Sequence, residues 1–123
     1  MTTEPARVLI VEDDEDLRSV LGSAVADAGY SAVVAADGVA ALQACEERDP
    51  DVVVLDLNLP RLGGQAFAEE YRRGRGQAKI IVMSGTASGG EISAQLRAAA
   101  FLSKPFDLER LLGAVSRVLR SAA

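Results

Sequence analysis

Short apolar runs alternate along the whole chain with longer stretches whose apolar residues recur every three or four positions. Arg7–Val11 (RVLIV), Ser31–Ala35 (SAVVA), Asp51–Leu57 (DVVVLDL), Lys79–Met83 (KIIVM) and Phe101–Ser103 read as strands. Consecutive rather than alternating apolar positions predict strands covered on both faces. Asp14 is placed to cap a helix that carries Leu17, Val20, Leu21, Ala24, Val25 and Ala28 as one stripe and ends at Gly29. Asp37-Gly38 turns the chain into an Ala-rich helix through Glu47, which Asp49-Pro50 breaks. Pro60 and Gly63-Gly64 mark a loop before a helix over residues 65–73, with Phe67 and Tyr71 four apart. Residues 84–90, rich in Ser, Thr and Gly, read as a mobile segment, with 85–90 as a candidate hinge. Ile92 and Leu96 suggest a short helix, and Asp107 caps a last one with Leu108, Leu111, Leu112, Val115, Val118 and Leu119 on one face. Five strands alternating with five helices predict an α/β fold, a parallel sheet with helices on both faces. In such a sheet, functional groups gather beyond the C-terminal ends of the strands.

Composition narrows this further. A length of 123 residues fits a single domain, and no repeat or linker divides it; residues 1–5 read as a disordered tail. With 4% aromatic residues and no Trp, the core has to be built from Val, Leu, Ile and Ala. A net charge of -5 argues against direct nucleic-acid binding and against anionic membrane surfaces. A single cysteine, Cys45, excludes an internal disulfide and fits a reducing cytoplasm. The absence of His excludes His-based triads and His-containing metal sites. Neither a signal-like run nor a membrane-length apolar stretch is present, so a soluble cytoplasmic protein is expected.

The candidate chemistry sits where the strands end. The first strand runs into Glu12 and Asp13, the third carries Asp56, the fourth ends at Ser84 and the fifth at Lys104. Brought to one edge, three carboxylates would repel one another unless a cation joined them. An all-oxygen donor set suits Mg²⁺ rather than zinc, and Lys104 and Ser84 offer donors to phosphoryl oxygens. This is a kit for phosphoryl transfer to a carboxylate, with Asp56 as the nucleophile.

The segments VEDDEDLRSVL, PDVVVLDLNLPRLGG, IIVMSG and FLSKPF, in that order, resemble the receiver domain of two-component response regulators. The resemblance spans essentially the whole chain and implies a flavodoxin-like doubly wound sheet in the order 2-1-3-4-5. It implies Asp56 as phosphoacceptor and Asp13, with Glu12 acting through water, as the acidic pair for Mg²⁺ (or Mn²⁺). The backbone carbonyl of Asn58 would be a further metal ligand. Ser84 and Lys104 would hold the phosphoryl group, with the bond to Pro105 often cis. Phe101 would be the aromatic switch that turns inward as Ser84 moves, and Asn58 and Thr86 would tune dephosphorylation. Implied partners are a histidine kinase or histidine phosphotransfer protein and a downstream protein, with a homodimer as a further option. The chain reads equally as a stand-alone receiver or as a piece of a longer protein. It departs from the family pattern in three places. Gly63 stands where an acidic or polar residue is usual, Asp56 to Ser84 is slightly short, and Ala98-Ala99-Ala100 replaces a Gly-Ala-Asp-like turn, implying a trimmed fourth helix.

Two other readings compete. A degenerate receiver could serve as a phosphorylation-independent interaction module, but the set Glu12, Asp13, Asp56, Ser84 and Lys104 is intact. A phosphatase working through an aspartyl-phosphate, of the haloacid-dehalogenase type, places its nucleophile after the first strand and needs a cap. Plainer roles suit the other residues: Cys45 at the core boundary, Phe67 and Tyr71 in packing, and Arg72, Arg73 and Arg75 as a solvated helix end.

Overall fold

The computed structural model describes residues 4–121 of the chain. Strands β1 (Arg7–Val11), β2 (Ser31–Ala35), β3 (Val52–Asp56), β4 (Lys79–Ser84) and β5 (Ala100–Ser103) alternate with helices α1 (Glu15–Asp27), α2 (Gly38–Glu47), α3 (Gly64–Arg73), α4 (Gly89–Gln95) and α5 (Leu108–Arg120). All strand pairs are parallel, and the order is β2-β1-β3-β4-β5. The order reverses between β1 and β3, which leaves a crevice at the C-terminal ends of these two strands.

Side chains alternate between the two sheet faces. Val8, Ile10, Val52, Val54, Ile81 and Met83 pack with α1 and α5, whereas Leu9, Val11, Val53, Leu55, Ile80 and Val82 pack with α2, α3 and α4. Both faces of the central strands are therefore dry, which accounts for their unbroken apolar runs. Phe67 stacks on Tyr71 with ring centroids 5.7 Å apart, filling the second core.

Caps fall where short polar side chains precede the helices. Asp14, Asp37 and Asp107 accept from the amides of Leu17, Ala40 and Arg110. Gly29 follows α1 with φ +100°, the left-handed C-terminal position expected of it.

Several details differ from the sequence reading. In α1 only Leu21 and Val25 are buried; Val20 is 49% exposed and Ala28 is also exposed, because the apolar stripe is wider than the contact α5 and the sheet offer. Leu108 is 39% exposed for a similar reason, at the very start of α5. Gly89 and Gly90, read as part of a mobile loop, form the first turn of α4, and Ser84 belongs to β4. The fourth helix is indeed short, at 7 residues. Of the tail expected over residues 1–5, residues 1–3 lie outside the described residues; Glu4 and Pro5 are exposed, and Glu4 pairs with Arg48 at 2.6 Å.

Candidate functional site

Parallel register brings the strand ends level. Asp56 lies beside Met83 at the end of β3, and Ser84 lies beside Ser103 at the end of β4. The amide of Lys104 donates to the Ser84 carbonyl at 2.8 Å, so the chain leaves β5 with Lys104 directed at the same rim. The peptide bond from Lys104 to Pro105 is cis. On the other side, the Glu12 amide donates to the Ala35 carbonyl at 3.0 Å and extends the β1–β2 pairing by one residue.

Glu12, Asp13 and Asp56 place one carboxylate oxygen each within 4.8 Å of one another. Glu12 and Asp56 are buried, at 1% and 4% exposure, and Asp13 is open to solvent. Lys104 Nζ donates to Glu12 Oε1 at 2.8 Å and stands 3.4 Å from Asp56 Oδ2. The other Glu12 oxygen accepts from the Asp14 amide at 3.2 Å, and Asp56 Oδ1 accepts from the Asn58 amide at 3.3 Å. Three carboxylates thus gather with one ammonium that pairs with two of them, a net negative pocket whose metal-donor atoms are all oxygen. That chemistry fits a hard divalent cation, and the exposed Asp13 side gives it an entry.

The charges perturb one another. Burial pushes the Glu12 carboxyl above its ordinary range, and the nearby Asp56 charge adds to this, although the Lys104 hydrogen bond and the Asp14 amide pull it back. Burial draws Lys104 down, but the Glu12 hydrogen bond and the Asp56 charge outweigh it and leave the ammonium above its ordinary value. The ammonium form is therefore secured at neutral pH.

Ser84 is buried at the same rim, where its hydroxyl lies 2.9 Å from Thr86 Oγ1 and accepts from the Thr86 amide at 3.1 Å. Gly89 packs directly on it. A Cβ there would stand 2.5 Å from Ser84 Oγ and 3.2 Å from the Phe101 ring, so only glycine lets α4 start this close. Phe101 is 37% exposed, on the outer side of β5. Asn58 and Thr86 are exposed at the mouth.

Every residue singled out from the sequence for the acidic site reaches the one rim, and the structure adds supports that the sequence reading passed over. Arg18 Nη1 donates to the carbonyls of Glu12 and Asp13 at 3.1 and 3.4 Å, pinning the acidic turn to α1. Its only sequence signal was a basic residue one turn into an acid-capped helix. Gly64 lets α3 approach the Asp56 carbonyl, where a Cβ would come within 2.5 Å. The loop between them is left-handed at Arg61 and Leu62 (φ 49° and 89°), not at the glycines that advertised it. Arg72 is exposed, as read from the sequence, and it also donates to the carbonyls of Leu96 and Arg97 at the end of α4.

The model of the response regulator receiver domain matches residues 8–116. The chain belongs to the response regulator receiver domain family. Among curated relatives, it is 39% identical to the response regulator MprA of Mycobacterium sp. (strain KMS) over 118 residues, covering 94% of this chain and 51% of that protein. The same protein of Mycobacterium leprae (strain TN) is 38% identical over 93% of this chain. The chain spans about half the length of these relatives. Among solved structures, chemotaxis response regulator CheY4 of Vibrio cholerae superposes with a TM-score of 0.86 at 31% identity, covering 95% of this chain and 100% of that one. The receiver domain of NtrX from Brucella abortus gives 0.85 at 29% identity, covering 94% and 99%. This receiver domain is a signalling domain of the two-component type, and no helix among its described residues is long and apolar enough to cross a membrane.

Proposed function

We propose that the whole chain acts as one receiver domain that accepts a phosphoryl group on Asp56 from a phosphohistidine of a histidine kinase or histidine phosphotransfer protein. The observation that carries this reading is the meeting of the Glu12, Asp13 and Asp56 carboxylates, with Lys104 Nζ paired to Glu12 and Asp56. An Asp56 oxygen attacks phosphorus, the bond from phosphorus to the donor's imidazole nitrogen breaks, and that nitrogen keeps the electron pair. Asp13, Asp56 and the Asn58 carbonyl would hold Mg²⁺ (Mn²⁺ is an alternative), with Glu12 acting through water; when bound, the cation neutralises the carboxylates and the incoming phosphoryl charge. Lys104 holds one oxygen of the phosphoryl group, and the Ser84 hydroxyl leaves Thr86 to hold another. Because Gly89 rests on Ser84 and borders the Phe101 ring, that movement reaches the outer face, where Phe101 turns inward. Asn58 and Thr86, exposed at the mouth, tune the rate at which water removes the phosphoryl group. Nothing in the chain favours the phosphorylation-independent module.

Asp56→Asn tests the assignment. With acetyl phosphate and Mg²⁺, the parent should be labelled and the variant should not, read by intact-protein mass spectrometry. Equal labelling of both would remove Asp56 from its role.

A further inference from the structure

We propose that Asp37 and Gly38, at the start of α2, are positioning residues for the loop that carries Asn58, and so set how tightly the acidic rim takes its divalent cation. This role rests on the proposed Mg²⁺ site at Asp13, Asp56 and the Asn58 carbonyl, although neither residue is one of its ligands.

The loop leaves β3 with the Asn58 amide on Asp56 Oδ1 at 3.3 Å, and it closes where the Gly64 amide donates to the Leu57 carbonyl at 3.2 Å. Leu59 and Leu62 pack against the second core. Between these anchors the backbone is strained. Arg61 and Leu62 are left-handed at φ 49° and 89°, while the neighbouring Gly63 sits at φ -64°, which any residue can adopt. Non-glycine residues stay left-handed only where their surroundings over-determine them. Here the surroundings are the start of α2. The Leu62 carbonyl oxygen lies where a Cβ on Gly38 would come within 2.3 Å, so glycine alone allows this approach. Asp37 Oδ1 is fixed by the Ala40 amide at 2.8 Å, which leaves Oδ2 facing Arg61 Nη1 at 3.7 Å. An exposed arginine paired in this way gains little by the pair alone. The pair and the close approach act together, on the same two strained residues.

Asn58 stands three residues before Arg61. Once Arg61 and Leu62 relax to ordinary φ, the peptides before them turn and the Asn58 carbonyl loses its preset direction. A cation then has to order the loop as it binds, at a cost in affinity. Asp56 is held by β3 and stays in place.

The test is an NMR titration of the full chain with Mg²⁺, in the parent and in Asp37→Asn, Arg61→Ala and Gly38→Ala. Asn still caps a helix and Ala raises helix propensity, so α2 should survive each change. Asp37→Asn and Arg61→Ala should each weaken Mg²⁺ by about threefold. Gly38→Ala should weaken it by about tenfold. The double variant Asp37→Asn/Arg61→Ala should be no weaker than either single one. In metal-free protein, the Asn58 and Gly64 amides should exchange faster in all three variants. Labelling by acetyl phosphate at saturating Mg²⁺ should match the parent, an outcome that general destabilisation would not give alongside weaker metal binding. Parent-like affinity in Asp37→Asn and Arg61→Ala, additive losses in the double variant, or labelling that saturating Mg²⁺ fails to restore would overturn the positioning role and leave the metal site standing. A parent that binds no Mg²⁺ would overturn the metal site, and this role with it.

Discussion

Lys104 offsets only part of the site's negative charge, and its titration has a readable consequence. In Mg²⁺-free buffer its folded pKa lies above the unfolded value, through Glu12 and Asp56. The folded state therefore binds this proton more tightly. The stabilisation is complete below the ordinary lysine pKa of about 10.4 and is lost as pH rises through the raised folded value. Glu12 is also raised, by burial, so the folded state again holds a proton better than the unfolded chain. Its contribution therefore improves as pH falls from the raised value towards the ordinary glutamate value. Tyr71 shares the alkaline direction, since burial and its hydrogen bond to Asp49 raise it too. Urea titrations of the parent and of Lys104→Met across the alkaline range should give a shallower decline in the variant. Identical slopes would mean that the ion pair does not couple to folding.

At the scale of elements, the trimmed α4 is held by its neighbours rather than by its own length. Its 7 residues are too few to be stable alone. Ile92, Leu96 and Ala98 pack on the second core, and the Arg72 guanidinium reaches across from α3 to the carbonyls of Leu96 and Arg97. Those are among the carbonyls that a helix end leaves without partners. Arg72→Ala should lower stability by about 1 kcal/mol. Hydrogen exchange should quicken selectively in α4 and its following turn and leave α5 alone. Uniform quickening would point to a general loss of stability and count against the cap. Helix α5 has its own support, because Lys79 Nζ donates to the carbonyls of Val118 and Ser121 at 3.3 and 2.7 Å.

For the whole molecule, the site is built at a cost that a cation would offset. Burying two carboxylates beside a third is unfavourable unless charge is supplied. A cation that binds only the folded chain stabilises it by mass action, by about 2.7 kcal/mol at a hundredfold excess over Kd. Adding Mg²⁺ should therefore raise Tm by roughly 10 °C in a thermal scan. Asp13→Asn should abolish most of the rise; Asp13 is exposed, so the variant should fold. A Tm indifferent to Mg²⁺ in the parent would remove the metal from the mechanism.

The sequence by itself determined the elements, their order and the identity of the chemical groups. Apolar runs and helical stripes are local patterns, and the strands that lead to Glu12, Asp56 and Ser84 could be read because each group closes a buried run, whereas β5 before Lys104 is short and buries only Leu102. Only the tertiary structure decided which faces are covered and what braces the site. Val20 looks as apolar as Leu21, yet it is exposed because α5 and the sheet reach only part of the stripe. Arg72 and Arg18 look idle in the sequence until α4 ends beside the one and the acidic turn folds back over α1 beside the other. Gly64 and Gly89 read as loop markers, whereas their role is to admit backbone and side-chain atoms from other strands. Burial, close approach and long-range hydrogen bonds depend on residues distant in the chain, and a local pattern carries no record of them.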